Sequence, residues 1–264
     1  MSKEEKIFKE NGVILLKNVW SSDLMEEIKK EYETLDKSLV RTEILKDEPI
    51  IVFWKHVVGE KKRICTFREF PTLWEFIKNT LTPKIRELLP NTTKKLQLLE
   101  TIIFNKPYEL SNTLHWHQDV AYFPLKPNNQ IAIWIPLEAV DQESGALNYA
   151  IGSHKEGIKG STDLHTRKPF DNENRDLIPK DPEKEGYKVQ CMEMSPADMV
   201  CHNGYTWHYS GPNKKKGFER RGLSVRFIIE DSKFDPRPGQ GAAFTKQVSL
   251  KAGDLFEGKP FPVF

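Results

Sequence analysis

Cysteine is scarce in this 264-residue chain. The three present, Cys65, Cys191 and Cys201, are widely spaced and odd in number. That excludes a disulfide framework and a cysteine zinc pattern, and favours a reducing, cytoplasmic setting. An excess of one charge is missing too: 40 Lys and Arg against 38 Asp and Glu leave +2, so no nucleic-acid partner is expected. No run approaches the ~20 apolar residues of a membrane span, so no membrane partner is expected either. The opening Met1-Ser2-Lys3-Glu4-Glu5-Lys6 lacks the apolar core of a secretory signal. With no internal repeat and no linker, the expectation is one domain over 1–264, acting as a monomer or homodimer. The 38% hydrophobic and 30% charged residues that remain suit a soluble globular protein.

The pattern along the chain changes period near residue 95. Before it, residues 3–10 read as a helix and Gly12–Leu16 as a strand. Ser21 or Ser22 caps a helix through about Leu39, striped by Leu24, Ile28, Tyr32 and Leu35. Ile50–Trp54 reads as a strand, Pro71 opens a helix through Asn79, and Thr82-Pro83 opens another that ends before Pro90. From Lys95 the period approaches two: Leu96, Leu98, Glu100, Ile102 and Phe104 fall on one face, Leu99, Thr101 and Ile103 on the other. Further strands follow at Gln130–Glu138, Ala146–Ile151, Tyr187–Met194, Met199–His202 and Gly222–Glu230. Between them lies a polar excursion, 156–186, and after them a Pro- and Gly-rich tail, 231–264. Many short strands behind helical segments predict a mainly β double-sheet jelly roll with flanking N-terminal helices. Its parts are a helical region of about 1–95, a core of about 96–230 and the tail.

Chemistry concentrates in Leu114-His115-Trp116-His117-Gln118-Asp119. In an extended segment His117 and Asp119 project from one side and can reach one cation. Two imidazoles and a carboxylate on one face of an octahedral metal form the ligand set of non-haem Fe(II) oxygenases. Two downstream residues could supply the second imidazole: His202, before an Asn-Gly turn, and His208, before Ser210-Gly211. His208 is preferred, which makes His117, Asp119 and His208 the expected catalytic metal ligands. A His115-x-His117 pairing of cupin type lacks its glutamate, since positions 121 and 122 are Ala and Tyr.

The ordered set His117-Gln118-Asp119, Tyr122-Phe123-Pro124, Trp134, Gly145-Ala146-Leu147, Gly152-Ser153-His154-Lys155 and His208-x-Ser210-Gly211, with an arginine about a dozen residues on, resembles the phytanoyl-CoA dioxygenase family. The resemblance runs from about Gly12 to Phe227. It implies a double-stranded β-helix (a cupin-like jelly roll), Fe(II), 2-oxoglutarate and O2. It also implies hydroxylation of a C–H bond in a small-molecule substrate, with release of succinate and CO2. It places Trp134 at the 2-oxoglutarate pocket and Ser210 on the distal carboxylate; Gln118, Tyr122 and Phe123 are expected at the substrate. Related halogenases lack the carboxylate ligand, so Asp119 points to oxidation rather than halogenation.

A distal carboxylate calls for the planar fork of an arginine. Strand alternation groups Arg220, Gly222, Ser224 and Arg226 opposite Leu223, Val225 and Phe227. If the first group faces the cavity, Arg221 is excluded. The family's placement selects Arg220, with Arg226 the runner-up. Two other classes compete: a non-catalytic metal-binding jelly roll acting as sensor or scaffold, and a zinc hydrolase, for which no paired general base stands out.

Overall fold

In a computed structural model, which describes residues 1–35, 40–41, 48–236 and 248–264, the chain folds as two facing β-sheets backed by helices. The first part carries α1 (Lys3–Asn11), β1 (Val13–Leu16), α2 (Ser22–Thr34), β2 (Ile50–Lys55), β3 (Arg63–Thr66), α3 (Pro71–Phe76) and α4 (Thr82–Leu88). The strands that follow are β4 (Gln97–Lys106), β5 (Leu114–His117), β6 (Leu125–Lys126), β7 (Gln130–Pro136), β8 (Leu147–Ala150), β9 (Val189–Cys191), β10 (Met199–Asn203), β11 (His208–Ser210), β12 (Arg220–Ile228) and β13 (Lys233–Phe234). A seven-stranded sheet has the order β1-β10-β7-β12-β4-β2-β3, and a four-stranded sheet the order β5-β11-β8-β9. Neighbours pair antiparallel throughout, except β2 with β4.

The two faces of the large sheet do different work. Ile131, Ile133, Ile135, Leu223, Val225 and Phe227 point outwards into a core shared with Phe8, Met25, Ile28, Leu73, Phe76, Ile77, Leu81 and Ile85 of the helices. Trp134, Ile102, Phe104 and Val52 point inwards, towards Leu147 and Tyr149 of the small sheet. The alternation read for β7 and β12 is therefore the real division between outer core and inner cavity.

Four local expectations need correction. In β4, Arg226 opposes Glu100 and Phe227 opposes Leu98, so Leu99 is the extra residue of a β-bulge. The bulge shifts the phase. Leu96 and Leu98 join the outer core, while Glu100, Ile102 and Phe104 face inwards. Second, Ser21 occupies the N-cap of α2 but makes no side-chain capping bond, and the helix ends at Thr34. Residues 36–39 of the expected helix lie outside the described residues. Third, α3 and α4 are not separate helices. The π turn Ile77–Leu81 joins them, with the Thr82 N–H bonding the Ile77 carbonyl five residues back. Pro83, which has no N–H to give, follows directly after this turn. Fourth, regular strand at 187–194 shrinks to Val189–Cys191, with one isolated bridge between Met194 and Val140.

One glycine ties the helical edge to the interior. Gly12 closes α1 at φ 75°, its N–H bonding the Phe8 carbonyl. Its own carbonyl accepts the Thr206 hydroxyl at 2.7 Å, and a Cβ there would lie 2.3 Å from His154 Nδ1 and 2.6 Å from Thr206 Oγ1. Left-handed backbone and lack of room both demand glycine. Gly12→Ala should lower the unfolding free energy by about 2 kcal/mol, read as a reduced urea midpoint. An unchanged midpoint would show that this junction relaxes freely.

Candidate metal centre

Two short strands of the small sheet bring the chemistry together. β5 and β11 pair antiparallel with His117 directly opposite His208, their ring centroids 4.1 Å apart. Asp119 follows two residues after His117, at the start of a 3-10 turn over Asp119–Ala121. All three side chains are buried, and one ligand atom from each lies within 4.8 Å of the others.

Backbone carbonyls set the tautomers. His117 Nδ1 lies 2.7 Å from the His115 carbonyl and His208 Nδ1 lies 3.0 Å from the Thr206 carbonyl. A carbonyl only accepts, so each Nδ1 carries the proton and each Nε2 presents its lone pair. Burial pushes His117 down to about 4 and holds His208 well below the usual histidine range, so both rings stay neutral.

Asp119 is kept ionised against its surroundings. Burial alone would raise it; the Arg226 guanidinium and then a hydrogen bond from His202 overcome this and hold it well below the usual carboxylate range. Arg226 donates through Nε to Oδ2 and through Nη2 to Oδ1, both at 3.1 Å. His202 donates from Nε2 to Oδ2 at 3.3 Å and accepts the Tyr149 hydroxyl at Nδ1, at 3.0 Å. Both nitrogens of His202 are thus engaged, whereas the Nε2 atoms of His117 and His208 face the open centre. His115 lies outside the cluster; its backbone N–H bonds the Leu164 carbonyl.

The trio opens onto a cavity of about 370 Å³. Trp54, Phe104, Tyr122, Phe123, Trp134 and Phe170 make its wall largely aromatic, and Arg220, Ser224 and Arg226 reach it from one face of β12. Arg221 points away, towards Glu33 and Glu138. Arg226 is spent on Asp119, with Glu100 3.6 Å from its Nη1. Arg220 differs. It is 2% exposed, its guanidinium lies 4.5 Å above the Trp134 ring, and its Nε and Nη2 have no hydrogen-bond partner among the described residues. Burial pushes it down to about 10. Gly222 makes the stacking possible, since a Cβ there would fall 2.1 Å from Trp134 Cζ2.

Other expected residues are placed differently. Gln118 does not line the cavity. Its amide donates to the Gly157 and Tyr205 carbonyls and accepts from Lys159 N–H, tying these loops together behind the trio. This fully buried amide spends its bonds on the backbone of those loops, away from the cavity. Tyr122 and Phe123 do line the cavity, with the Tyr122 hydroxyl held by the backbone of Thr162. Ser210 lines it too, but its hydroxyl donates to the Gly145 carbonyl and accepts from Lys106.

Lys106, Glu100 and His56 went unread in the sequence. Lys106 is fully buried, with its ammonium against the carbonyls of Ser210 and Gly211 and the Ser210 hydroxyl. Glu100 had a signal: it was the one acid among the apolar residues assigned to its face of β4. The excursion 156–186 is described throughout and supplies Asp163, Leu164, His165 and Phe170 to the cavity rim.

The sequence profile of the family described as phytanoyl-CoA dioxygenase (PhyH) matches residues 8–222. Peroxisomal phytanoyl-CoA dioxygenase of Bos taurus is 24% identical over 234 residues, covering 85% of this chain and 67% of that one. Among solved structures, the non-heme alpha ketoglutarate dependent carbocyclase SnoK from nogalamycin biosynthesis is similar at TM-score 0.73 and 20% identity, over 100% of this chain and 96% of that one. EvdO2 from Micromonospora carbonacea var. aurantiaca, complexed with 2-oxoglutarate, is similar at TM-score 0.61 and 19% identity, over 90% and 95%. At these identities the structures bear on the fold.

The buried histidines predict a pH dependence. An unfolded chain protonates its histidines below about pH 6.5, but the folded, metal-free protein refuses that proton at His117 until about pH 4. The unfolded state then binds more protons, so stability falls as pH drops through this window. His117 alone accounts for a loss of roughly 3 kcal/mol, and His208 acts in the same direction. Urea midpoints of the metal-free protein should decline steadily from pH 7 to pH 4.5; a flat profile would mean these rings are hydrated.

Proposed function

The chain belongs to the phytanoyl-CoA dioxygenase family, and from that premise we propose that it is an Fe(II)- and 2-oxoglutarate-dependent dioxygenase hydroxylating a C–H bond of a small molecule. The observation that carries this reading is the pair of Nδ1–carbonyl bonds, which leaves two neutral Nε2 lone pairs aimed at one ionised carboxylate. Such a set has three acceptors and no proton between them, and a buried dication satisfies all three. We read the two sheets as the halves of a jelly roll and the chain as one domain, with helices on the outer face. The free cysteines Cys65, Cys191 and Cys201 support a reducing compartment. Among the described residues no helix is long and apolar enough to cross a membrane.

His117, Asp119 and His208 would hold the metal. Bound there with 2-oxoglutarate and O2, it supplies oxidative decarboxylation to succinate and CO2 coupled to oxidation of a C–H bond. The protein's own residues do the rest. Arg226 and His202 fix the Asp119 carboxylate in orientation and charge. Arg220, packed on Trp134, offers unpartnered N–H groups to the distal carboxylate of the cosubstrate. The aromatic wall with Tyr122 and Phe123 excludes water from the reacting centre, and the 163–170 segment covers it from one side. Ser210 acts here by steadying the Lys106 end of the cavity rather than by binding the cosubstrate.

His117→Ala, Asp119→Ala and His208→Ala should each abolish Fe(II)-dependent succinate formation while the far-ultraviolet dichroism stays unchanged. His202→Ala should retain stoichiometric iron binding. Loss of iron in His202→Ala together with its retention in His208→Ala would reassign the second imidazole, and activity restored by zinc after chelation would reject an iron oxygenase.

A further inference from the structure

Besides Arg220, and Nη1 of Arg226 beside Glu100, the cavity lining holds another group without a hydrogen bond. His56 directly follows β2 and is 0% exposed, and neither ring nitrogen has a hydrogen-bond partner among the described residues. Its backbone is fixed: its N–H bonds the Asn105 carbonyl and its carbonyl accepts the Asn112 N–H, both at 2.9 Å. Its ring is fixed as well, stacked on Phe104 at 5.1 Å and 16° and packed against Trp54 at 4.7 Å. A buried imidazole with no hydrogen bond is costly, and a native interior keeps one only for a reason.

The neighbourhood supplies the reason. β12 pairs Arg220 with Lys106 on β4, and the His56 backbone N–H bonds the residue before Lys106; His56 and Arg220 both line the cavity, and the charges of Lys106 and Arg220 both act on the His56 ring. Burial first, then the charges of Lys106 and Arg220, hold His56 well below its ordinary range and keep it neutral. A neutral imidazole has one N–H to give. Lys106 is spent on carbonyls and the Ser210 hydroxyl, and that hydroxyl donates to Gly145. What remains free at this end is Nε and Nη2 of Arg220 and the N–H of His56. Three donors without an acceptor describe a seat for an anion.

Resting on the dioxygenase reading above, we propose that His56 is a cosubstrate-positioning residue that donates its ring N–H to the distal carboxylate of 2-oxoglutarate, beside Arg220 and in the place expected of Ser210. Arg220 supplies the charge and His56 the direction, since its ring is clamped by two aromatic neighbours.

The test measures binding, without turnover. 2-Oxoglutarate is titrated calorimetrically into anaerobic Fe(II)-loaded protein, and 2-oxobutyrate, which has the same keto acid but no distal carboxylate, is titrated in parallel. His56→Phe keeps the stacked ring and removes both nitrogens. It should weaken 2-oxoglutarate about 10-fold or more and leave 2-oxobutyrate within about twofold. His56→Gln, which restores a donor, should recover part of the loss; it also serves if the Phe variant melts early. Equal weakening of both keto acids would make His56 a packing residue, and no weakening would direct its ring to the substrate; either overturns the proposal. If the unmodified Fe(II) protein binds no 2-oxoglutarate, the parent reading fails and takes this one with it. Tight binding indifferent to His56→Phe removes this one alone.

Discussion

The bidentate ion pair between Arg226 and Asp119 lets three polar side chains converge in an aromatic cavity. A lone carboxylate there would take up a proton rather than bear the cost of desolvation. Two N–H bonds at 3.1 Å from one planar guanidinium keep it charged and set its plane. The pair also joins the two sheets. Arg226 sits in the middle of the large sheet, between β4 and β7, while Asp119 follows the edge strand of the small one. Removing either partner would strand a buried charge, a loss of about 3–5 kcal/mol. The geometry around Asp119 is therefore tied to the stability of the fold.

How much of this could be read from residues alone depends on the range of the physics involved. The alternation of Arg220, Ser224 and Arg226 against Leu223, Val225 and Phe227 is local, and it placed the β12 arginines correctly. The same rule failed in β4, because the bulge at Leu99 is defined only by pairing with β12. His117 and Asp119 were legible from spacing. That His202 would bond Asp119, leaving the metal-facing place to His208, depends on contacts across 83 residues. Gln118 is similar: its neighbours in sequence are candidate ligands, but its amide bonds reach Gly157 and Tyr205. His56 carries no motif. Its significance is an absence of partners, and a sequence cannot display that.

The helical edge is coupled to the site through short polar links. Gly12 ends α1, its carbonyl takes the Thr206 hydroxyl, and the Thr206 carbonyl fixes the His208 tautomer. Orientation of a ligand thus passes through two backbone carbonyls rather than through flexible side chains. Backbone groups have no rotamers to change, so this arrangement fixes the direction of each imidazole. The same device serves His117 through the His115 carbonyl, whose residue is anchored by its N–H to Leu164 of the excursion.

Charge divides the cavity into two halves that are each incomplete. At the triad, Asp119 and Glu100 are met by Arg226 and Lys62, and the Nε2 lone pairs of His117 and His208 add two further acceptors where a dication is proposed to sit. Burial raises Glu100, and Arg226 and Lys62 offset that only in part. At the other end, Arg220 and Lys106 make no ion pair among the described residues, although the charge of Glu138 acts on Arg220, and burial depresses both. A ligand that is anionic at both ends, chelating at one and ion-pairing at the other, would answer both imbalances when bound with the metal. Neither component alone would do so: a metal without the anion leaves Arg220 unpaired, and the anion without a metal meets Asp119 and Glu100. The electrostatics therefore favour joint occupancy of the two halves over occupancy of either, a coupling that follows from which charges β12 carries at its two ends.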